Sequence, residues 1–149
     1  NFHPDRLMDF IVHHKVVPAV DQIETHPFHQ QIETAKFLGE YNIRHEAWAP
    51  FAQGRNGLFQ NESLLRIAAK HGKTVAQVTL RWLIQRDIVA IPKSVHEERI
   101  VENFDVFDFE LSADEMAAVA ALDTGVPIFL DHRDPAVAKR LGTRRFDSI

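Results

Sequence analysis

The chain has 149 residues, of which 45% are hydrophobic and 26% charged, with 17 Lys and Arg against 21 Asp and Glu and no cysteine. The acidic balance argues against nucleic acid as a partner, because nucleic acid attracts a basic surface, and no apolar run approaches the ~18 residues that a bilayer span needs. The lack of cysteine excludes disulfides and thiolate chemistry and is typical of proteins of a reducing cytoplasm.

Apolar periodicity alternates between the helical and the strand type along the chain. Short apolar runs closed by Pro or charged residues are typical of parallel strands buried on both faces. Longer amphipathic stretches between them predict helices. In chain order the pattern predicts a helix at 5–13, a strand at 19–24, a helix at 30–40, a strand at 43–49, a helix at 62–70, a strand at 88–91 and a helix at 96–103.

Two further helices are predicted by their first turns. Thr74 with Gln77, and Ser112 with Glu115, have the spacing of capping boxes, in which two side chains satisfy the free amides of a helix start. The alternation predicts an α/β fold with a right-handed parallel sheet and outer helices. Residues 125–149 have weak periodicity and mixed Pro, Asp and Arg, so we interpret them as a surface-wrapping tail that follows a unit of residues 1–124.

Function is expected at the carboxyl ends of the predicted strands, where ligands gather in parallel α/β folds. These ends carry the segments DQIETHP at 21–27, AWAPF at 47–51 and IPKS at 91–94. With Arg99, Glu102 and Asn103 following, the chain resembles the aldo-keto reductases from Asn1 to about Leu122. The resemblance implies the C-terminal half of a (β/α)8 TIM barrel, with NADP(H) as the cofactor.

The resemblance also implies roles at the nicotinamide end of that cofactor. Asn1 and Gln22 correspond to the residues that bind the carboxamide, and Trp48 to an aromatic ring that stacks on nicotinamide. Such a ring contributes apolar burial and shields one face from water. Taken without the resemblance, Gln22 and Trp48 read as a buried polar residue and a core tryptophan.

The other implied contacts lie along the rest of the cofactor. Phe51, Gln53 and Gly54 correspond to a loop over the pyrophosphate. Lys93 and Arg99 correspond to the 2′-phosphate site, which is expected at a helix start because amides and dipole also favour an anion there. That helix is predicted to open with a capping box formed by residues 94–97, which include Ser94 and Val95. Glu102 and Asn103 correspond to the contacts with the adenine amino edge.

The proton-donating chemistry of the family is expected elsewhere. The resemblance implies a Tyr donor tuned by Lys, Asp and His from the N-terminal half of the barrel. The single tyrosine, Tyr41, ends a predicted helix that feeds a strand, so it is expected at the opposite barrel face. We therefore assign no catalytic residue in this chain. Because a complete barrel needs about 250 residues and the chain opens at Asn1 without Met or an apolar leader, we expect a fragment or a processed product.

Other patterns favour ordinary structural interpretations. The pairs His13-His14 and His26-x-x-His29 lack the Cys or carboxylate spacing of a metal site, so no metal is assigned. His13 and His14 are expected to stabilise a helix C-terminus. Arg144 and Arg145 are expected in a solvated tail. The stretch 128–130, Ile-Phe-Leu, is expected near the mouth of the pocket or under the tail.

Two functions remain open on these residues. The first is an NADPH-dependent oxidoreductase that reduces aldehydes and ketones in the cytoplasm, with this chain as its cofactor-binding half. The alternative is a non-catalytic nucleotide-binding or scaffold half-barrel. In either case a half-barrel has unpaired edges, so its expected partner is the missing N-terminal half or a second copy in a homodimer.

Overall fold

Three parallel strands form the centre of the fold. The computed structural model describes residues 1–145, in which β1 (Val20–Glu24), β2 (Arg44–Trp48) and β3 (Val89–Ala90) pair in the order β1-β2-β3. Glu24 lies opposite Trp48, and Ala47 lies opposite Ala90. The strands run in the same direction, so their carboxyl ends meet at one edge of the sheet.

Helices connect and follow the strands much as predicted. Within the described residues they are α1 (Pro4–His13), α2 (Ile32–Glu40), α3 (Glu62–His71), α4 (Val75–Gln85), α5 (Glu97–Phe104), α6 (Ala113–Ala120) and α7 (Pro135–Gly142), with a 3₁₀ segment at Ala52–Gln60. The predicted capping boxes form at Thr74 and Ser112. None of the helices within residues 1–145 has the length and apolar character to span a membrane.

The core lies on one side of the sheet. Its main cluster joins α3, α4 and α6 through side chains such as Leu64, Trp82 and Val119, which are at most 1% exposed. A smaller cluster joins β1 to α1 and α2 through Leu7, Ile23, Leu38 and Ile43. Each such side chain contributes about 1.5–3 kcal/mol by leaving water, so the helices hold the strands in place from this side.

The second face of the sheet is open, so the expectation of strands buried on both faces is wrong. Burial alternates over the first four residues of β1, where Val20 and Gln22 are exposed and Asp21 and Ile23 are buried, and Glu24 at the end of the strand is also buried. The helices cover one face only. In a closed barrel the other face turns inward and meets side chains from the remaining strands.

An apolar groove continues from that open side. It has a volume of about 760 Å³ and runs between β3, α4 and α5. Ile100, Phe104 and Phe107 line it and are between 55% and 77% exposed. Exposed apolar surface of this kind marks a site of association.

Two local predictions are corrected. The predicted capping box at 94–97 does not form: α5 begins at Glu97, and Ser94 Oγ instead accepts a hydrogen bond from the His96 amide at 3.1 Å. The hydroxyl is thus used in a tight turn before the helix. The predicted tail contains helix α7, which starts with an Asp134 cap and a Pro at its first position. The last four residues of that tail, 146–149, lie outside the described residues.

Glu115 joins α6 to α3. Its carboxylate accepts hydrogen bonds from Lys70 Nζ at 2.7 Å, from His71 Nε2 at 3.1 Å and from the Ser112 amide at 2.8 Å. Burial alone would raise the pKa of Glu115, but these three bonds outweigh it and lower the pKa to about 2. The charged form is therefore the one that stabilises the fold.

Glu115→Gln should lower the free energy of unfolding by about 1 kcal/mol or more at neutral pH, because charge-assisted bonds become neutral ones. A carboxylate with a depressed folded pKa stabilises above its ordinary pKa of 4.5, and this contribution is lost as the pH falls towards about 2. The variant should therefore show a shallower loss of stability over that range in denaturant titrations. Glu110→Gln is the matched control, because Glu110 pairs with Arg81 but is 80% exposed. Equal losses in both variants would contradict the assignment.

Candidate functional site

Three of the predicted site residues meet at the carboxyl edge of β1 and β2. Trp48 Nε1 donates to Asn1 Oδ1 at 2.7 Å, and the backbone nitrogen of Asn1 donates to the Gln22 carbonyl at 2.7 Å. The Gln22 side-chain amide donates to the carboxylate of Glu46 on the next strand. Trp48 is half-buried, with part of its ring accessible. The edge thus combines two amide side chains with a partly accessible aromatic ring.

A cavity of about 740 Å³ lies beside this edge and collects most of the other predicted residues. Its walls come from the loop after β2, from α3, from the start of α4 and from the segment that joins β3 to α5. The predicted residues that line it are Phe51, Lys93, Ser94, Arg99, Glu102 and Asn103. Gln53, Gly54 and Val95 are not among its lining residues in the described part of the chain.

The cations at this cavity differ in their partners. Lys73 Nζ binds Asp105 and Asp108 at 2.8 Å each, and these hydrogen bonds raise the pKa of Lys73. Lys93 and Arg99 have no hydrogen-bond or ion-pair partner anywhere in residues 1–145. Glu102 accepts a hydrogen bond from Thr74 Oγ1 at 2.6 Å. Two cations are therefore available for an anionic ligand, and a third is neutralised in place.

The 3₁₀ segment between β2 and α3 has an unusual backbone. Gln53, Gly54, Asn56 and Gly57 have φ values between 52° and 72°. This left-handed conformation is energetically costly for the two non-glycine residues, Gln53 and Asn56. Backbone strain of this kind concentrates at ligand-binding sites. Successive amides in this type of geometry can form a concavity for an anion. The segment keeps Phe51 and Phe59 in contact, with ring centroids 5.9 Å apart, at the cavity wall.

The C-terminal segment reaches the site through Phe129. Its ring centroid lies 5.4 Å from that of Trp48, and the Arg55 guanidinium lies 4.6 Å from the Phe129 centroid. The stretch 128–130 therefore lies beside Trp48. Arg55 was not singled out from the sequence, because only its position in the Gly-rich loop, and no motif, marked it.

The histidines have structural roles. His13 and His14 donate to the carbonyls of Asp9 and Phe10 at 2.7 and 2.8 Å, as expected for helix-terminal histidines. Burial, with a smaller effect of Arg86, lowers the pKa of His45 to about 4, so it is neutral at physiological pH. Across residues 1–145 no group of three His, Cys, Asp or Glu side chains could hold a metal ion.

Tyr41 lies away from the carboxyl edge of the sheet. It is the C-cap of α2, just before β2 begins, and its ring packs on Phe37 with centroids 4.8 Å apart. It belongs to the small cluster around Leu38 and Ile43. The single tyrosine of the chain is therefore at the opposite end of the strands, as the sequence predicted.

Comparison with known proteins decides the family. The sequence profile described as the Aldo/keto reductase family matches residues 1–124. The chain belongs to the aldo/keto reductase family. Its parallel α/β architecture is part of the TIM barrel of that family. The chain spans 39–48% of the length of the first curated relatives it matches.

Three relatives illustrate the match. An aldo-keto reductase of Mycolicibacterium smegmatis is 46% identical over 133 residues, which cover 89% of this chain and 48% of that protein. The crystal structure of MGS-M4, an aldo-keto reductase from a Medee basin deep-sea metagenome library, has a TM-score of 0.86 and 41% identity, covering 89% of this chain and 49% of that one. A Gox0644 mutant in complex with NADPH has a TM-score of 0.79 and 43% identity, covering 83% and 45%.

The fluorescence of Trp48 should report on the site, and that of Trp82 on the core. Trp82 is 1% exposed and lies under the Arg86 guanidinium, whereas Trp48 is half-buried at the site. Trp48→Phe should therefore leave emission that is shifted to the blue and quenched much less by acrylamide. Phe59→Leu is the control, because the Phe59 ring contacts that of Phe51 and, among the described residues, neither tryptophan ring. Unchanged acrylamide quenching in Trp48→Phe would show that Trp48 is not accessible.

Proposed function

We propose that this chain is the C-terminal, cofactor-binding half of an NADPH-dependent reductase of aldehydes and ketones. The observation that carries the proposal is the cavity in which Lys93 and Arg99 have no hydrogen-bond or ion-pair partner among the residues that the structure describes. A cation at a protein surface can remain solvated, but two unpaired cations on the wall of one cavity form a site for a doubly charged anion. The 2′-phosphate of NADP(H) has that charge.

The neighbouring residues fit the adenosine part of the same ligand. Asn103 supplies a side-chain amide, and Glu102 keeps one carboxylate oxygen beyond the one that binds Thr74. Together they could accept from and donate to the edge of an adenine ring. Phe51 and Leu65 provide apolar wall. The NADPH complex of the Gox0644 mutant, which is 43% identical, supports the same ligand.

The nicotinamide end is assigned to the edge of β1 and β2. Asn1 and Gln22 hold amide groups within one hydrogen-bonded set, and Trp48 offers a ring for stacking, which is worth about 0.5–1.5 kcal/mol beyond its area. Bound NADPH would supply the hydride for carbonyl reduction. The role of this chain is then to orient the ring, to bind the carboxamide and to exclude water from one face.

The proton donor must come from outside these residues. Tyr41 lies at the far end of the strands and packs in the core, so it cannot reach a carbonyl at the carboxyl edge. The groove along β3 and α5 and the open face of the sheet would be covered by the N-terminal half of the barrel. We therefore assign proton transfer to that half, which completes the sheet and the site together.

A scaffold or regulatory half-barrel is the second candidate function. It is favoured by the same groove, because the exposed side chains of Ile100, Phe104 and Phe107 could equally be covered by a second copy of this chain. In that case nucleotide binding would persist without carbonyl reduction. The two candidates therefore differ in catalysis and in partner, not in the cofactor site.

Arg99→Ala should weaken NADPH binding by roughly tenfold or more, because a charge-assisted bond to phosphate contributes about 1.5–3 kcal/mol. NADH lacks the 2′-phosphate, so its affinity should hardly change. Calorimetric titration of the chain with both nucleotides measures this difference. Arg140→Ala is the matched control, because Arg140 is an exposed helical arginine on α7, outside the cavity. Equal loss of both nucleotides would indicate a structural role for Arg99, and no loss would remove it from the site.

Co-expression with the N-terminal half of the Mycolicibacterium smegmatis relative should restore activity. The two halves would cover the groove and bring a proton donor to the carboxyl edge. The expected result is co-purification of the halves and aldehyde-dependent oxidation of NADPH, absent from either half alone. Phe104→Glu, which places a charge in the groove, should reduce co-purification, whereas Glu40→Lys on α2 should not. A stable homodimer of this chain that binds NADPH but gains no activity would instead favour the scaffold function.

A further inference from the structure

The segment after α6 is fastened to the loop that follows β1. Thr124 Oγ1 donates to the Phe28 carbonyl at 2.7 Å, and Asp123 Oδ1 accepts from the Gln30 amide at 3.2 Å. Further along, the Ile128 amide donates to Glu24 Oε1 at 2.6 Å across 104 residues of sequence. The last of these contacts is the polar anchor nearest to Phe129.

Glu24 is built to hold this amide. It ends β1, its side chain is 4% exposed, and the same Oε1 also accepts from His26 Nε2 at 3.1 Å. Its second oxygen, Oε2, has no hydrogen-bond partner in residues 1–145. Hydrogen bonds to an ionised acceptor are about twice as strong as neutral ones. Within the described residues, the buried carboxylate therefore forms hydrogen bonds only with the Ile128 amide and His26.

The electrostatics favour the ionised carboxylate. Burial alone would raise the pKa of Glu24, but the hydrogen bonds from His26 and from Ile128 outweigh it, so the pKa lies below its ordinary value. Burial lowers the pKa of nearby His29, which keeps that ring neutral. A charged acceptor is thus present at physiological pH, and the Ile128 amide is one of its two donors.

The hydrogen bond between Glu24 and the Ile128 amide affects the site because Phe129 follows Ile128 in the chain. Its ring contacts Trp48 at 5.4 Å between centroids and carries the Arg55 guanidinium at 4.6 Å. Arg55 belongs to the 3₁₀ segment assigned to the cofactor. A displaced Ile128 backbone would therefore move the ring that joins Trp48 to this segment.

We propose that Glu24 is a positioning residue, whose carboxylate fixes the Ile128 backbone and so holds Phe129 between Trp48 and Arg55. The segment 126–130 then forms one wall at the nicotinamide end of the site, with no contribution at the adenosine end. The second statement rests on the proposed function, because it assumes that nicotinamide binds at Trp48. The first statement concerns the chain without ligand.

Hydrogen–deuterium exchange of the full 149-residue chain tests the anchor without any cofactor. Glu24→Ala should accelerate exchange of the Ile128 amide by about tenfold or more, as expected from the loss of a bond to a charged group. Glu24→Gln keeps an oxygen acceptor and should rescue part of the protection. Amides of α4 should be unchanged in both variants and in the exposed control Glu40→Ala. Rapid exchange of Ile128 in the unaltered chain, or unchanged exchange in Glu24→Ala, would overturn the anchor.

Two ligands separate this inference from the proposed function. Glu24→Ala should weaken NADP⁺ by several-fold while leaving 2′,5′-ADP unchanged, because the smaller ligand carries the adenosine and 2′-phosphate but no nicotinamide. Phe129→Ala should reproduce this selectivity and keep Ile128 protected, which guards against misfolding of the first variant. If the variants lose affinity equally for both ligands, or for neither, the assignment of segment 126–130 to the nicotinamide end is wrong. If 2′,5′-ADP does not bind the unaltered chain, the proposed function is wrong, whereas the exchange result for Ile128 still holds.

Discussion

Parallel pairing of three strands is the constraint on which the site depends. The register that places Glu24 opposite Trp48 and Ala47 opposite Ala90 brings three loops to one edge, although they are spread over more than sixty residues of sequence. A shift of one residue would turn every side chain to the opposite face of the sheet. The helical core beneath β2 prevents this, because Ala47 is fully buried against it. The amides at Asn1 and Gln22 and the ring of Trp48 are therefore fixed by packing on the other side of the sheet.

The cations at the cavity differ in whether an acidic side chain neutralises them. Three cations line one cavity. Lys73 pairs with Asp105 and Asp108, whereas Lys93 and Arg99 have no partner within residues 1–145. Those two aspartates hold the start of α4 near the end of α5, so the neutralised lysine stabilises the cavity walls. A negatively charged chain can thus bind an anion locally, because the distribution of partners matters more than the net charge of −4.

The open face and the groove along α5 link the fold to its partner. The residues that would fill a barrel interior, such as Val20 and Gln22, are exposed. Phe104 at the end of α5 and Phe107 just after it are exposed as well. Their burial by other strands would stabilise the sheet and enclose the carboxyl edge at the same time. In the proposed function, binding of the N-terminal half of the barrel would therefore complete the site and the core together.

Most of the helices and strands, and the order of the site segments, were predictable from local sequence. Capping boxes at Thr74 and Ser112 act within one helical turn, and apolar runs followed by Pro mark strand ends, so these features need no knowledge of distant residues. The motifs at the strand ends and the residues that follow them also identified six of the residues that line the cavity, including Lys93 and Arg99.

Tertiary structure decided what lies next to what across long separations. No local pattern indicated that Glu24 would receive the Ile128 amide, that Arg55 would lie over Phe129, or that Lys73 would be neutralised. The hydroxyl of Ser94 shows the same limit, since its capping-box spacing was overridden by a turn before α5. Local hydrogen-bonding preferences are worth about 1 kcal/mol, and packing against the rest of the fold readily exceeds that amount. One-sided burial of the strands likewise depends on which helices reach the sheet, which a strand's own residues do not encode.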